Sequence, residues 1–159
     1  MSATDAARSR LRQQGFACDS ASVMIGARWL RFTPILSTTC ILIGTILRSP
    51  LVLWTFAGIA LVGAAGWHLF DAVFNGIVRS WVQAPALGPN PVPRRFAMAL
   101  AAAWSAVAGW LLSAGFTAAG MVAGGLLAMA GAIVSSTHFC LGSWFYHRVW
   151  RRAVERIAA

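Results

Sequence analysis

Charged residues fall in short clusters along the chain, and the stretches between the clusters are long and apolar. No charged side chain occurs from Ser49 to Phe70, nor from Phe96 to His147. A bilayer crossing takes about 20 apolar residues, so the second run holds two crossings and the chain as a whole predicts four. The first lies between Arg31 and Arg48, from about Phe32 to Leu47, a slightly short stretch that arginines snorkelling at both ends accommodate. The second runs from about Leu51 to Phe70, after the break at Ser49-Pro50. The third follows Arg94-Arg95 and reaches about Ala114. Ser113, Gly115 and Thr117 form a tight hairpin, and the fourth crossing runs from about Ala118 to Trp144 or beyond.

The segment from Gln83 to Pro93 contains Pro85, Pro89, Pro91 and Pro93, which fixes it as a loop. The predicted organisation is a polar N-terminal tail over 1–27 and a four-span membrane domain over 28–156. That domain divides into a hairpin 28–81, a proline-rich loop 82–94 and a hairpin 95–150. Met1 to Gly15 reads as a mobile tail and Ser22 to Leu30 as a short interfacial helix. The first 31 residues lack the apolar core of a cleavable signal peptide. The fold class expected is all-α, an integral membrane four-helix bundle of two parallel-repeat helical hairpins.

Composition narrows the class further. Only 11% of the 159 residues are charged and 58% are hydrophobic, whereas a soluble domain carries about 25% charge. Eight Trp and nine Phe exclude a disordered chain. The net charge of +9 comes from 13 arginines and no lysine, which raises the question of nucleic acid. Nucleic-acid binders gather basic residues on one water-facing patch, but these arginines punctuate apolar runs. With four crossings, twelve fall on one side and Arg48 alone on the other. By the positive-inside rule both termini are cytoplasmic, in a multi-pass protein.

The halves resemble each other. Arg31-Phe32 and Arg95-Phe96 open them, His68 and His138 mark the ends of their second helices, and Trp81 and Trp150 follow arginine-containing segments. Two parallel units related by an axis along the membrane normal would give this pattern, and convergent membrane-helix composition is the alternative. In the fourth span Gly120, Gly124, Ala128, Ala132, Ser136 and Cys140 form a ridge of small side chains at steps of four. Such ridges let helices approach closely, and the Gly120/Gly124/Ala128/Ala132 face is a candidate surface for a protein partner or homo-oligomer.

Cys18, Cys40 and Cys140 are odd in number and argue against structural disulfides. On a continuous helix Cys140, Ser143 and His147 share one face, and a histidine beside a thiol promotes the nucleophilic thiolate. A late helical position opposes that charge, and Cys140 also continues the small-residue ridge, so packing alone accounts for it. Pro91-Val92-Pro93-Arg94-Arg95-Phe96-Ala97, an alanine-rich hairpin and Phe139-Cys140-Leu141-Gly142-Ser143-Trp144-Phe145-Tyr146 together resemble a bacterial membrane family, domain of unknown function 4395. The likeness is clearest from Pro91 to Tyr146 and fainter over the first hairpin. It implies a bacterial cytoplasmic (inner) membrane location. It also implies a second cysteine three residues after Cys140, where this chain has Ser143. That departure removes dithiol cycling and leaves a single-thiol role, such as sulfur transfer or a mixed disulfide with a partner.

His68 and His138 form a second constellation. Facing histidines in a helical bundle ligate b-type haem, or bind quinone or metal. On one continuous helix His138 and Cys140 point about 200° apart and share no site, while Asp71, three residues after His68, is a partner that orients or charges it. No P-loop, G-x-S-x-G, H-E-x-x-H or paired intramembrane carboxylate is present. The sequence therefore leads to an accessory membrane protein linked to thiol or sulfur handling through Cys140. Its alternative is a small redox carrier with haem or quinone between His68 and His138, and solute transport along the inter-repeat interface is a weaker third.

Overall fold

The computed structural model describes residues 3–17 and 27–150, and within them every regular element is helical. Cys18, Arg151, Arg152, Arg156 and most of the expected interfacial helix near Ser22 lie outside the described residues. An amphipathic helix, α1 (Ala3–Gln13), comes first. A single 3-10 turn, Trp29–Arg31, leads into α2 (Phe32–Ile46). Arg48, held at φ 50, and Ser49 then reverse the chain. Ser49 caps α3 (Pro50–Ala64) by accepting from the Val52 amide, and Pro50 takes the first helical position, where a missing N–H costs nothing.

At Ala64 the chain bends by 79° into α4 (Leu69–Val82), whose middle turn, Phe74–Val78, is π-helical. Gly66, at φ +114, makes the bend. After the proline-rich loop come α5 (Val92–Ser113) and α6 (Thr117–Thr137), joined by a turn at Gly115. The chain closes with α7 (Leu141–Phe145) and a following π-helical turn, Tyr146–Trp150. Three helical segments, Trp29–Ile46, α5 and α6, are long and apolar enough to cross a membrane, and the bent α3–α4 pair makes a fourth if it counts as one span.

Two of the four expected spans differ at their ends. The second stops at Ala64, short of Phe70, because Gly66 breaks the helix. The fourth stops at Thr137, short of Trp144, because His138 adopts a left-handed conformation at φ 60 and Cys140 is extended. Of the expected tail, residues 3–15 are packed: α1 buries Leu11 completely, in a cluster with Leu30, Phe74, Ala84 and Leu87, and Met1 and Ser2 lie outside the described residues.

Packing follows small residues and short polar links. α2 lies against α3 and α6, and α5 lies against α3 and α6. Thr38 and Thr45 of α2 turn their hydroxyls back to the Pro34 and Ile41 carbonyls. The same hydroxyl edges face α6, where Thr38 lies against Gly131 and Thr45 against Gly124. Gly120 seats Leu112 of α5. The Gly120, Gly124 and Ala128 ridge is therefore buried inside the chain and is not a face for a second molecule, and only Ala132 at its end is exposed. Between α3 and α5, Ser105 donates to the Leu53 carbonyl at 2.8 Å and Gly109 receives the Trp54 ring. Interhelical bonds of this kind contribute about 0.6 kcal/mol each in membranes.

Candidate functional site

The starts of α2 and α5 and the ends of α3 and α6 meet at one end of the molecule, and arginines tie them together. Arg31 donates from Nε to the His138 Nε2 at 2.9 Å. Arg95 donates from Nε to the Ala64 carbonyl at 2.8 Å, which caps the broken end of α3. Arg94, 4% exposed, lies 4.0 Å from the Asp71 carboxylate, whose Oδ1 also accepts from the Thr33 hydroxyl. Asp71 thus orients Arg94 and Thr33, and it also acts electrostatically on His68, the partner the sequence had suggested. Arg94 also sits over the Phe16 ring at 5.4 Å and within electrostatic reach of Cys140, and its Nη2 has no hydrogen-bond partner among the described residues.

α1 covers this end. Arg10 donates to the Thr137 carbonyl at 2.9 Å, Gln14 to the His138 carbonyl at 2.6 Å and Gln13 to the Cys140 carbonyl at 3.4 Å. These are the carbonyls left open where α6 breaks.

Because α6 breaks at His138, Cys140, Ser143 and His147 belong to the last helical segment and not to α6. Cys140 stands in extended backbone at the start of α7, and Ser143 lies inside α7, fully buried and donating to the Pro93 carbonyl at 3.1 Å. His147 sits in the π-helical turn that follows, its Nε2 3.0 Å from the Gln13 carbonyl. The same break removes the late-helix position that had opposed a thiolate at Cys140.

The histidines also part company. His68 accepts the Phe70 amide on Nδ1, and its Nε2 lies buried beside Gly63 without a partner among the described residues. His138 lies beyond the end of α6 with its Nε2 occupied by Arg31. Burial above all, with the charges of Arg31, Arg10 and Arg94, pushes its pKa down from 6.5 to about 4. No group of three or more His, Cys, Asp or Glu side chains that could hold a metal occurs among the described residues.

What the sequence did not disclose is a cavity of about 340 Å³ between α2, α5 and α6. Cys140 and Gly142 line one end and Ile41, Phe56 and Leu126 the other; neither His68 nor His138 takes part. Ser37 also lines it, and its hydroxyl is fully buried without a hydrogen-bond partner among the described residues. Arg94 and Ser37 were the missed residues. Arg94 had read as a topology marker, and Ser37 had carried no reading. The adjacent Arg94-Arg95 pair was the available signal, because side chains about 100° apart on a helix cannot both reach water.

The family model described as Domain of unknown function (DUF4395) matches residues 25–151. The chain belongs to the DUF4395 family. The match takes in both halves, including the first hairpin, where the sequence likeness is fainter, and every element from the 3-10 turn before α2 through α7. No curated protein and no solved structure matches this DUF4395 chain.

Proposed function

We propose that this DUF4395 chain is a bacterial inner-membrane protein in which α2, α3, α5 and α6 cross as a four-helix bundle of two related hairpins, with both termini cytoplasmic. Its role is that of an accessory protein offering one thiol, Cys140, to a sulfur- or thiol-handling partner. The observation that carries the thiol role is the placement of Cys140 at the end of the apolar cavity, within electrostatic reach of the buried, partly unpartnered Arg94.

In the exchange envisaged, the Cys140 thiolate attacks a partner's disulfide. One S–S bond forms as the other breaks, and the partner's second sulfur leaves as a thiolate. Support for the topology comes from Arg10, Arg31, Arg94 and Arg95 gathering at one end, while Arg48 lies in the α2–α3 turn at the other. Support for the hairpin repeat comes from both halves ending alike, in a helix break, a five-residue helix and a π-helical turn.

In a Cys18→Ser background, N-ethylmaleimide is expected to modify Cys140 faster than Cys40. Equal rates, or a faster Cys40, would remove the thiol role. Reporter fusions that place either terminus outside would refute the topology.

A further inference from the structure

The chain leaves α3 at 79° and runs on as α4. With α3 as a span, that angle lays α4 close to the plane of the membrane. α4 has two faces. Asp71 and Phe74 are buried on the inner one, where Asn75 also holds the proline-rich loop by bonding both the Leu87 amide and carbonyl. Leu69, Val73, Ile77 and Trp81, at steps of four, form an outer stripe that is 37–83% exposed. The last helical segment repeats the pattern. Ser143 is buried on the Pro93 carbonyl, while Leu141, Phe145 and Val149, with Trp144 beside them, form an outer stripe 43–47% exposed.

A continuous apolar row of this kind marks a surface that meets something other than water, and three observations say what. The α4 stripe continues the exposed apolar end of α3 at Leu61 and Val62, and Trp67, 81% exposed, stands in the bend between them. Tryptophan is the side chain enriched where membrane meets water. Each stripe also carries one exposed arginine, Arg79 in α4 and Arg148 in the last turn, where its guanidinium lies 5.8 Å from the Trp144 ring centre. Arginine on an apolar stem reaches lipid phosphates from such a position.

We propose that α4, and α7 with its π-helical turn, are in-plane interfacial helices whose outer stripes bind the headgroup boundary of the leaflet at the arginine-rich end. Their partner is phospholipid, not a second protein. The inference rests on the four-span reading and adds to it a lipid-binding surface, made twice, once by each half of the chain.

The test uses the full chain in a Cys18→Ser, Cys40→Ala, Cys140→Ala background, in phosphatidylglycerol and phosphatidylethanolamine vesicles. Leu69→Cys, Ile77→Cys, Trp81→Cys and Val149→Cys each carry a nitroxide, and depth is read from its accessibility to oxygen against a water-soluble nickel chelate. All four are expected at one level, about 5–10 Å into the headgroup and acyl boundary. That level lies between Gly88→Cys, in the open loop, and Val107→Cys, on the exposed face of α5. A depth that changes by about 1.5 Å per residue from Leu69 to Trp81 would make α4 part of the crossing and overturn the proposal. Labels as wet as that at Gly88 overturn it too, and so do labels closed to both reagents, which mark a protein partner or a second copy on the stripes. A Val107 label as wet as that at Gly88 overturns the four-span reading itself. If the cysteine-free chain fails to elute as a single species, benzoylphenylalanine at Ile77 and at Val149 of the otherwise unaltered chain gives the answer by the mass of its photo-adduct. A phospholipid adduct is expected, and a second copy or no lipid adduct overturns the surface.

Discussion

Arg31, at the start of the first long helix, donates to the ring of His138, just past the end of the last one, across 2.9 Å. The bond needs a neutral acceptor nitrogen, so it ties the arginine-rich end of the fold to the protonation of one side chain. With its folded pKa near 4 against 6.5 for the free side chain, His138 takes up a proton more readily in the unfolded chain. Stability is therefore fully present above pH 6.5, declines as the pH falls toward 4, and loses no more from this group below that. Thermal unfolding in detergent followed across pH 7.5 to 4 is expected to show the decline. His138→Asn retains a residue that tolerates the left-handed backbone and should flatten the slope.

Arg94 and Asp71 form a buried pair whose members lie on opposite sides of the proline-rich loop in sequence. Arg94→Met leaves the carboxylate with the Thr33 hydroxyl and no cation, and about 3–5 kcal/mol of stability should be lost. Adding Asp71→Asn should recover a large part, because the uncompensated charge is then gone. Denaturant unfolding of both single variants and the double completes the cycle, and strict additivity would show that the two residues do not interact.

Two adjacent glycines of α6 separate packing from helix propensity. A methyl group on Gly124 would collide with the Thr45 side chain, whereas one on Gly125 meets nothing within 4 Å. Gly124→Ala should cost about 1–3 kcal/mol through overpacking. Gly125→Ala should be neutral or stabilise by up to about 1 kcal/mol. If Thr45→Ala, which removes the crowded hydroxyl and methyl, failed to restore any stability to Gly124→Ala, this helix contact would be misassigned.

Leu11 anchors α1 over the α6 break. Leu11→Ala should cost about 2–5 kcal/mol of docking and core stability and loosen the Arg10, Gln13 and Gln14 contacts. Alkylation of Cys140 by a charged, membrane-impermeant maleimide is then expected to accelerate. An unchanged rate would mean that α1 does not shield this end.

The long helices were legible because lipid-facing segments need charge-free runs of fixed length, and Ser49-Pro50 wrote one helix start directly. The bend after α3 carried a readable sign in Gly66, a typical helix terminator, but the apolar run continues through it to Phe70 and outweighed the glycine. The break at His138 carried no such sign. Thr137-His138-Phe139-Cys140 contains neither Gly nor Pro, and the turn is held by distant residues: Arg31 on the ring, Gln14 and Gln13 on the carbonyls. His68 and Cys140 each stand in extended backbone before a five-residue helix, so the proposed repeat would pair His68 with Cys140 and not with His138. The candidate site escaped for a related reason. Cys140 shares a cavity with Ser37 and comes within electrostatic reach of Arg94 only through the packing of α2, α5 and α7, and no local spacing encodes that.

α1 leaves the ribosome well before α6, yet the carbonyls it caps lie 124 to 127 residues further along. Its seat does not exist until α6 and the turn after it have been synthesised. During biogenesis α1 must wait for them, and its docking registers that α6 is in place. A protein truncated within α6 would keep its early helices but leave Leu11 and the Arg10 guanidinium without their place, a difference that a quality-control protease could read.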